Sequence, residues 1–252
     1  MYKIPANTLF VGQRLVFVPE CQSTNTLLAE MTTKSALPEG TVVITNHQKA
    51  GRGQRGNVWL ADAGLNLTLS ILLNPNFLPV RHQFQLTAVT SLAVCGYLRK
   101  KGLRETFIKW PNDILVDRKK ICGILIENSL QGETIHQSIV GIGLNLNQKI
   151  FVPSSATSLF SETGKTVDLN SELHLLLPEI ESAYLQLRAG NIKWIQSTYL
   201  NLLYGKDQWL PFESEGKKFS GKIKDVDEAG RLILSTENGE RSFSMKEITF
   251  LR

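Results

Sequence analysis

A glycine-rich loop in the amino-terminal half has the sequence Gln48-Lys49-Ala50-Gly51-Arg52-Gly53-Gln54-Arg55-Gly56-Asn57. The β-branched residues 41–46 before it and the alternating apolar and polar residues 65–71 after it both predict β-strands. Glycine lets a backbone approach an anion closely, and the arginines next to these glycines carry guanidinium groups that can bind an anion. The stretch therefore predicts an anion-binding loop between two strands. The alternative is a tight surface hairpin whose arginines are solvated.

Two common phosphate-binding motifs can be tested against this loop. Gly51, Gly53 and Gly56 match the spacing G-x-G-x-x-G, but that dinucleotide motif has to open a helix, and here a strand follows. Gly51 and Gly56 also match the first half of a Walker A loop, yet Asn57 and Val58 stand where Lys and Ser or Thr are required. The loop therefore belongs to neither class.

The predicted elements on either side of the loop do not alternate between strand and helix. A strand over 9–18 and a helix over 23–34 precede it. After it come a helix over 81–101 and strands over 107–110, 114–116, 121–127 and 139–147. This order predicts an α+β fold, with a mixed or antiparallel sheet and helices packed on one face. Residues 168–203 predict two further helices, and Pro178 should kink or split the first.

The end of the chain predicts a separate small module. From Trp209 onward short strands alternate with turns, and Asn238-Gly239 is a strong hairpin signal. A module of roughly 45 residues would be marginally stable alone, so we expect it to pack on the main domain. The predicted domains are residues 1–205 and a compact β-barrel over residues 206–252.

Composition and charge limit the class of protein. The 252 residues are 42% hydrophobic and 20% charged, which is typical of globular proteins. No apolar run reaches the roughly 18–20 residues that span a bilayer, and the amino terminus lacks the apolar core of a signal peptide. The three cysteines show no C-x-x-C spacing, which predicts buried thiols and a reducing compartment. We therefore expect a cytoplasmic protein that does not associate with membranes.

The net charge of +5 fits either a pocket for an anionic substrate or a nucleic-acid surface. The basic clusters at 99–101 and 118–120 are short and carry no interleaved aromatic residues, which favours the pocket.

Further polar stretches lie at predicted strand ends and turns. Ser23-Thr24-Asn25 fits either helix capping or ligand binding. Lys109 lies among apolar neighbours and needs a partner, which could be Asp113 or a ligand anion. Gly123 lies within a strand, where glycine often marks the close approach of a ligand or another backbone. The last stretch is Gly141-Ile142-Gly143-Leu144-Asn145-Leu146-Asn147.

A nucleophile is missing from these stretches. No G-x-S-x-G elbow occurs, and the four histidines show no spacing typical of a metal site or a catalytic triad. The chemistry predicted is positioning and charge stabilisation rather than covalent catalysis.

Jointly, these motifs resemble the biotin protein ligase family. The resemblance rests on Ser23-Thr24-Asn25, on the glycine-rich loop with Trp59, on Lys109-Trp110-Pro111-Asn112-Asp113, on Lys120 through Glu127, and on residues 141–147. It covers nearly the whole chain in the same order. It implies a catalytic domain like that of class II aminoacyl-tRNA synthetases, followed by an SH3-like barrel. The 22 residues before Ser23 leave no room for a helix-turn-helix domain, so a monofunctional enzyme of the short type is expected.

The family resemblance implies a two-step reaction. Biotin and MgATP would give biotinyl-5′-adenylate and pyrophosphate, and a lysine of the biotin carboxyl carrier protein would then attack the mixed anhydride. Because a carboxylate must approach an α-phosphate, cations are needed to screen the repulsion. A homodimer is possible, and nucleic-acid binding is not expected. The alternatives are a lipoate–protein ligase and a basic nucleic-acid-binding module.

The family resemblance also implies residue roles. The catalytic residues would be Lys109, Lys120 and Arg52. The biotin site would comprise Ser23, Thr24, Asn25, Gln48, Gly51, Arg52, Gly53, Gln54, Lys120 and Gly123. The ATP and adenylate site would comprise Arg52, Arg55, Trp59, Lys109, Asn112, Lys120 and Asn145.

The loop departs from the family pattern at two positions. Gln54 and Asn57 stand where arginine is frequent, so phosphate screening should fall more heavily on Arg52, Arg55 and the lysines. No magnesium ligands are assigned. We also expect the loop to be open or disordered until biotin or the adenylate binds.

Overall fold

The computed structural model describes residues 2–3, 7–152 and 155–251. Its strands are β1 (Leu15–Cys21), β2 (Val42–Gln48), β3 (Leu67–Leu73), β4 (Thr106–Lys109), β5 (Asp113–Val116), β6 (Lys119–Gln131), β7 (Thr134–Leu144), β8 (Trp209–Ser214), β9 (Lys217–Val226), β10 (Leu232–Thr236), β11 (Gly239–Phe243) and β12 (Thr249–Phe250). The helices of this part of the chain are α1 (Thr24–Lys34), α2 (Phe84–Lys100), α3 (Leu159–Thr163), α4 (Leu169–Arg188) and α5 (Ile192–Asn201).

The first seven strands form one mixed sheet in the order β1-β2-β3-β7-β6-β5-β4. β1 and β2 are parallel, and the other neighbours are antiparallel. The predicted α+β class with a mixed sheet is confirmed. The loop does connect two paired strands, since β3 follows it and lies antiparallel to β2.

The strand register brings the separate sequence motifs into one row across the sheet. Gly143 on β7 pairs with Thr68 on β3 and with Gly123 on β6. Gly123 then pairs with Asp113, and Asp113 pairs with Lys109 on β4. Residues far apart in sequence therefore become neighbours across this row.

The expectation that all helices lie on one face is wrong. Successive strand residues point to opposite faces, and the core is divided accordingly. Val43 and Leu72 pack with Leu28 of α1 in a small cluster. Val42 and Ile71 belong to the large cluster with the residues of α2, α4 and α5. Apolar residues occupy consecutive positions of β2 and β3, so both faces of the sheet have to be shielded from water. The helices α2, α4 and α5 cover one face there, and α1 covers the opposite face.

Two predicted elements differ in their bounds. β1 begins at Leu15 rather than at residue 9, because Glu181 accepts hydrogen bonds from the backbone N–H groups of residues 9–11, and Gly12 then turns the chain with φ of 81°. Pro178 does not split α4, which continues to Arg188. A proline inside a helix costs about 3 kcal/mol, and the buried leucines of this helix offset that cost.

The carboxyl-terminal strands form a five-stranded antiparallel sheet in the order β11-β10-β9-β8-β12. Four aromatic rings pack within it: Phe212, Phe219, Phe243 and Phe250. As predicted, this module packs on the main domain, since Trp110 Nε1 donates to the Gly230 carbonyl oxygen at 3.0 Å. The predicted boundary at residues 205 and 206 falls in the connection between α5 and β8.

The predicted burial of the thiols is confirmed for Cys95 and Cys122, whereas Cys21 is only half-buried; all three cysteines are free. None of the helices in the described ranges is long and apolar enough to cross a membrane.

Candidate active site

A cavity of about 250 Å³ lies over the row of paired residues that ends at Lys109. Most of the predicted site residues line it: Ser23, Thr24, Asn25, Gln48, Arg52, Gly53, Gln54, Trp59, Lys109, Asn112, Lys120 and Gly123. The sheet register explains this gathering, because motifs on β6 and β7 become neighbours of those on β3 and β5. The sequence spacing alone contains no such pairing.

The β2–β3 side of the cavity carries uncharged polar groups. Gln48 Oε1 accepts hydrogen bonds from Thr24 N at 2.7 Å and from Thr24 Oγ1 at 3.1 Å. Ser70 Oγ lies 2.7 Å from Thr24 Oγ1 and 2.6 Å from Asn25 Oδ1. Ser23 occupies the N-cap position of α1 without a capping side-chain bond. Side-chain capping by Ser23 is therefore not observed, and ligand binding by this triplet stays a prediction.

The opposite side of the cavity is cationic. Lys120 Nζ lies 2.7 Å from Asp113 Oδ1 and 5.5 Å from the centroid of the Trp59 ring. The aromatic face and the carboxylate hold this ammonium on the cavity wall, and the lysine side chain stays about one-third exposed. Asp113 also faces Lys109 across the β4–β5 pair.

Two glycines make room for Trp59. A Cβ on Gly143 would come within 2.3 Å of Trp59 Cε2. A Cβ on Gly123 would lie 3.0 Å from Trp59 Cζ3 and 3.1 Å from Lys120 Cε. The close approach predicted at Gly123 is thus made by side chains of this chain, and the indole forms part of the cavity wall.

The glycine-rich loop is fastened to the sheet by a carboxylate. Glu127 Oε2 accepts from Arg52 Nη2 at 2.8 Å and from Asn25 Nδ2 at 2.7 Å. Arg52 also forms an antiparallel bridge with Val58, so the loop folds back as a short hairpin. The side chain of Arg55 lies outside the described part of the structure. The Arg52 guanidinium remains half-exposed at the cavity and can meet an incoming anion.

Lys109 lies where the main domain meets the carboxyl-terminal module. Its Nζ is 5.4 Å from the centroid of the Phe250 ring. Ile248, Thr249 and Phe250 all line the cavity. Nothing in the local sequence around Phe250 indicated this role, because the contact depends on how the two domains pack.

Of the predicted residues whose side chains the structure describes, two do not line the cavity. Asn145 is buried, and its Nδ2 donates to the Thr157 carbonyl oxygen at 3.0 Å, so it holds the chain that follows β7. Gly51 lies at the base of the loop, where a Cβ would come within 2.4 Å of the Trp59 carbonyl oxygen. Their roles in ligand binding stay predictions, while a structural reason for each residue is clear.

Comparison with known families agrees with this geometry. The model of the biotin/lipoate A/B protein ligase family matches residues 18–145, and that of the biotin protein ligase C-terminal domain matches residues 212–250. The chain belongs to the biotin/lipoate A/B protein ligase family. The second match places it among the biotin protein ligases.

Relatives of this ligase extend over nearly its whole length. It is 31% identical over 248 residues to the biotin–[acetyl-CoA-carboxylase] ligase of Mycobacterium tuberculosis, covering 95% of this chain and 90% of that protein. It is 30% identical over 246 residues to the bifunctional ligase/repressor BirA of Bacillus spizizenii, covering 96% and 75%.

A solved structure shows the same fold. The biotin protein ligase of Aquifex aeolicus, in complex with biotin and ATP, has a TM-score of 0.79 and 28% identity. The match covers 95% of this chain and 99% of that one.

One thiol next to a residue of the ligase cavity is deeply buried. Cys122 precedes Gly123 on β6, and burial raises the pKa of its thiol far above the ordinary value. The raised pKa keeps this thiol protonated at neutral pH. Among the described residues, no group of three His, Cys, Asp or Glu side chains could hold a metal ion.

Proposed function

We propose that the chain activates biotin with ATP and transfers it to a lysine of a biotin carboxyl carrier protein. The observation that carries this proposal is the divided cavity, with neutral hydrogen-bonding groups beside β2 and β3 and cations from β4 and β6 on the other side. Biotin has the same division, since its ureido ring is uncharged and its carboxylate is an anion. The relatives named as biotin ligases support the same reaction.

The ureido ring would lie on the neutral side. Ser23, Thr24 and Gln48 offer both donors and acceptors there, as a ring with one carbonyl and two N–H groups requires. The indole of Trp59 would cover the apolar part of the ligand. The carboxylate would then point towards Lys120, whose ammonium is already held on the cavity wall by Asp113.

In the first step, a carboxylate oxygen of biotin attacks the α-phosphorus of ATP. A new P–O bond forms, the bond to the bridging oxygen of the β-phosphate breaks, and pyrophosphate leaves. Lys120, Lys109 and Arg52 would offset the negative charge that these groups bring together. Arg52 would exchange Glu127 for the phosphate, because their exposed ion pair is only weakly stabilising.

In the second step, the amine of the acceptor lysine attacks the carbonyl carbon of the adenylate. An amide bond forms, AMP leaves with the electrons of the C–O bond, and the amine proton passes to solvent. The acceptor would be the carrier domain of a biotin-dependent carboxylase, as the name of the mycobacterial relative indicates for that protein.

Magnesium would enter as the complex with ATP. Asp113 lines the cavity and could supply a carboxylate, and one carboxylate with phosphate oxygens and waters is a common ligand set for this ion. A cytoplasmic location and a homodimer also remain predictions; sedimentation of the purified chain would test the latter.

Exchange of labelled pyrophosphate into ATP tests the proposed function. We expect exchange that depends on biotin, and none with lipoate or without an added acid. If lipoate supported exchange and biotin did not, the substrate would be lipoate rather than biotin. If neither acid supported exchange, the assignment as a ligase would be rejected. Labelling of a purified carrier domain with biotin then tests the second step.

A further inference from the structure

The carboxyl-terminal module contacts the chain at the end of β4, the strand that carries Lys109. Trp110, the next residue, is buried and donates from Nε1 to the Gly230 carbonyl oxygen between β9 and β10. Gly230 in turn lies against the ring of Phe84, where a Cβ would come within 2.4 Å. The residue that follows β4 is therefore hydrogen-bonded directly to this module.

The same module presents an aromatic ring to Lys109 itself. Lys109 Nζ lies 5.4 Å from the centroid of Phe250, within the distance over which a cation and a ring face attract. Both side chains line the cavity. The contact therefore joins a cation of the cavity to the last strand of the other domain.

The Phe250 ring is held in place by its own neighbours. It packs edge-on against the fully buried Phe212 with centroids 4.9 Å apart, and the two residues pair between β12 and β8. Leu251 N donates to the Pro211 carbonyl oxygen at 3.0 Å, which fixes the backbone beyond the ring. The ring is thus a rigid surface, whereas a lysine side chain has a flexible four-carbon stem.

We propose that Phe250 is a positioning residue that orients the Lys109 ammonium for adenylation. The face of an aromatic ring attracts the ammonium and brings no negative charge of its own, so Phe250 can orient Lys109 without competing for its ammonium as an anion would. A carboxylate in that place would compete with the phosphate for the same ammonium. This inference rests on the proposed function of Lys109, and it makes the carboxyl-terminal module part of the active site.

Substitution of Phe250 tests the role directly. In Phe250→Leu the pocket stays apolar but the ring face is lost, and we expect kcat of biotin-dependent pyrophosphate exchange to fall about 10-fold with an unchanged KM for biotin. Phe250→Tyr keeps the ring and should stay within about 2-fold of the parent. Phe219→Leu is the matched control, because Phe219 stacks on Phe212 from the same sheet but does not line the cavity.

A double-mutant cycle separates positioning from a general structural effect. If Phe250 acts through Lys109, Phe250→Leu should cause no further loss of kcat in a Lys109→Met background. An equal 10-fold loss in both backgrounds would overturn the proposal, as would full activity of Phe250→Leu. Thermal unfolding of each variant identifies any loss of folded protein.

A second readout does not depend on ligase activity. Lys109 in the full-length chain can be labelled with an amine-reactive ester and followed by mass spectrometry. We expect faster labelling of Lys109 in Phe250→Leu than in the parent, Phe250→Tyr or Phe219→Leu. Absence of biotin-dependent exchange in the parent would reject the proposed function, whereas unchanged labelling in Phe250→Leu would reject the positioning role alone.

Discussion

At the scale of single residues, position 143 has to be glycine because the Trp59 indole lies directly against its backbone. A Cβ at this position would meet the Trp59 ring at 2.3 Å, so the ring has to move. We expect Gly143→Ala to weaken biotin binding about 10-fold, measured by calorimetry, and to change the tryptophan fluorescence. Gly96→Ala is the control, because its Cβ would meet only Glu179 Oε2 at 3.3 Å. Unchanged affinity of Gly143→Ala would show that Trp59 does not shape the ligand site.

Lys120 offers a second test at this scale. Its ammonium lies between Asp113 and Trp59 on the cavity wall, where the biotin carboxylate and the α-phosphate would meet. We expect Lys120→Ala to lower the adenylation rate about 100-fold or more and to leave the fold intact. Its neighbour Lys119 is exposed and does not line the cavity, so Lys119→Ala should keep full activity. An active Lys120→Ala enzyme would refute the catalytic role.

The thiols provide a test that depends on pH. Burial raises the pKa of Cys95 to about 12, and it raises that of Cys122 further. Burial is also the main cause of the raised pKa of the half-exposed Cys21. A raised pKa keeps a thiol protonated and unreactive until the pH approaches that value. With iodoacetamide at pH 8 we expect slow labelling of Cys21 and none of the buried pair; rapid labelling of Cys122 would contradict its burial.

At the scale of elements, the glycine-rich loop has a structure that ligand binding can stabilise. Two exposed ion pairs, Arg52 with Glu127 and Lys49 with Glu20, and a short hairpin bridge contribute to holding it, and exposed contacts of this kind are weak. We expect trypsin to cleave at Lys49 and Arg52 in the free chain. Biotin with ATP at about ten times the Kd should slow this cleavage about 10-fold, because only the open loop is cut.

The turn between β8 and β9 serves as the internal control for this experiment. Lys217 and Lys218 are exposed beside it and do not line the cavity, so their cleavage rate should not depend on biotin. Equal protection of the loop with and without ligands would show that it does not close over the adenylate.

Some helices could be predicted from local sequence patterns alone, and others could not. α1 was predicted over almost its full length, because leucines at helical spacing and a polar N-terminus are local signals. The sequence predicted that Pro178 would kink or split α4, and it could not decide between the two; the helix is not split. Proline disfavours a helix locally, while the packing that outweighs it comes from α2 and other distant segments.

At the scale of the whole molecule, α4 anchors residues 9–11, near the start of the chain. The carboxylate of Glu181 accepts from the N–H groups of Leu9, Phe10 and Val11 at 2.7–2.9 Å, and it is nearly buried. In Glu181→Gln an NH₂ group would face these donors. We expect the free energy of unfolding to fall by about 2 kcal/mol, measured by urea titration.

Glu179→Gln is the matched control on the same helix. Glu179 pairs with the exposed Lys100, and exposed pairs contribute about 0–1 kcal/mol. If Glu181→Gln were no less stable than Glu179→Gln, the backbone contacts of Glu181 would not anchor the amino-terminal segment.

The residues that line the cavity were predicted from the resemblance to the biotin protein ligase family, whereas local patterns in the chain were sufficient for the α+β class and for most strands and helices. Each depends on the spacing, turn chemistry or charge of neighbouring residues, and these are visible in a linear sequence. The position of the glycine-rich loop between two strands was predicted in this way and is confirmed, while anion binding by the loop stays a prediction.

The row across the sheet, the position of α1 on the opposite face and the contact between Lys109 and Phe250 were decided by folding. Each depends on which distant segments pair and pack, and no single stretch of residues contains that information. Strand register brings Gly143, Gly123 and Asp113 together, and domain packing adds Phe250. The cavity therefore has its chemistry from local motifs and its geometry from long-range contacts.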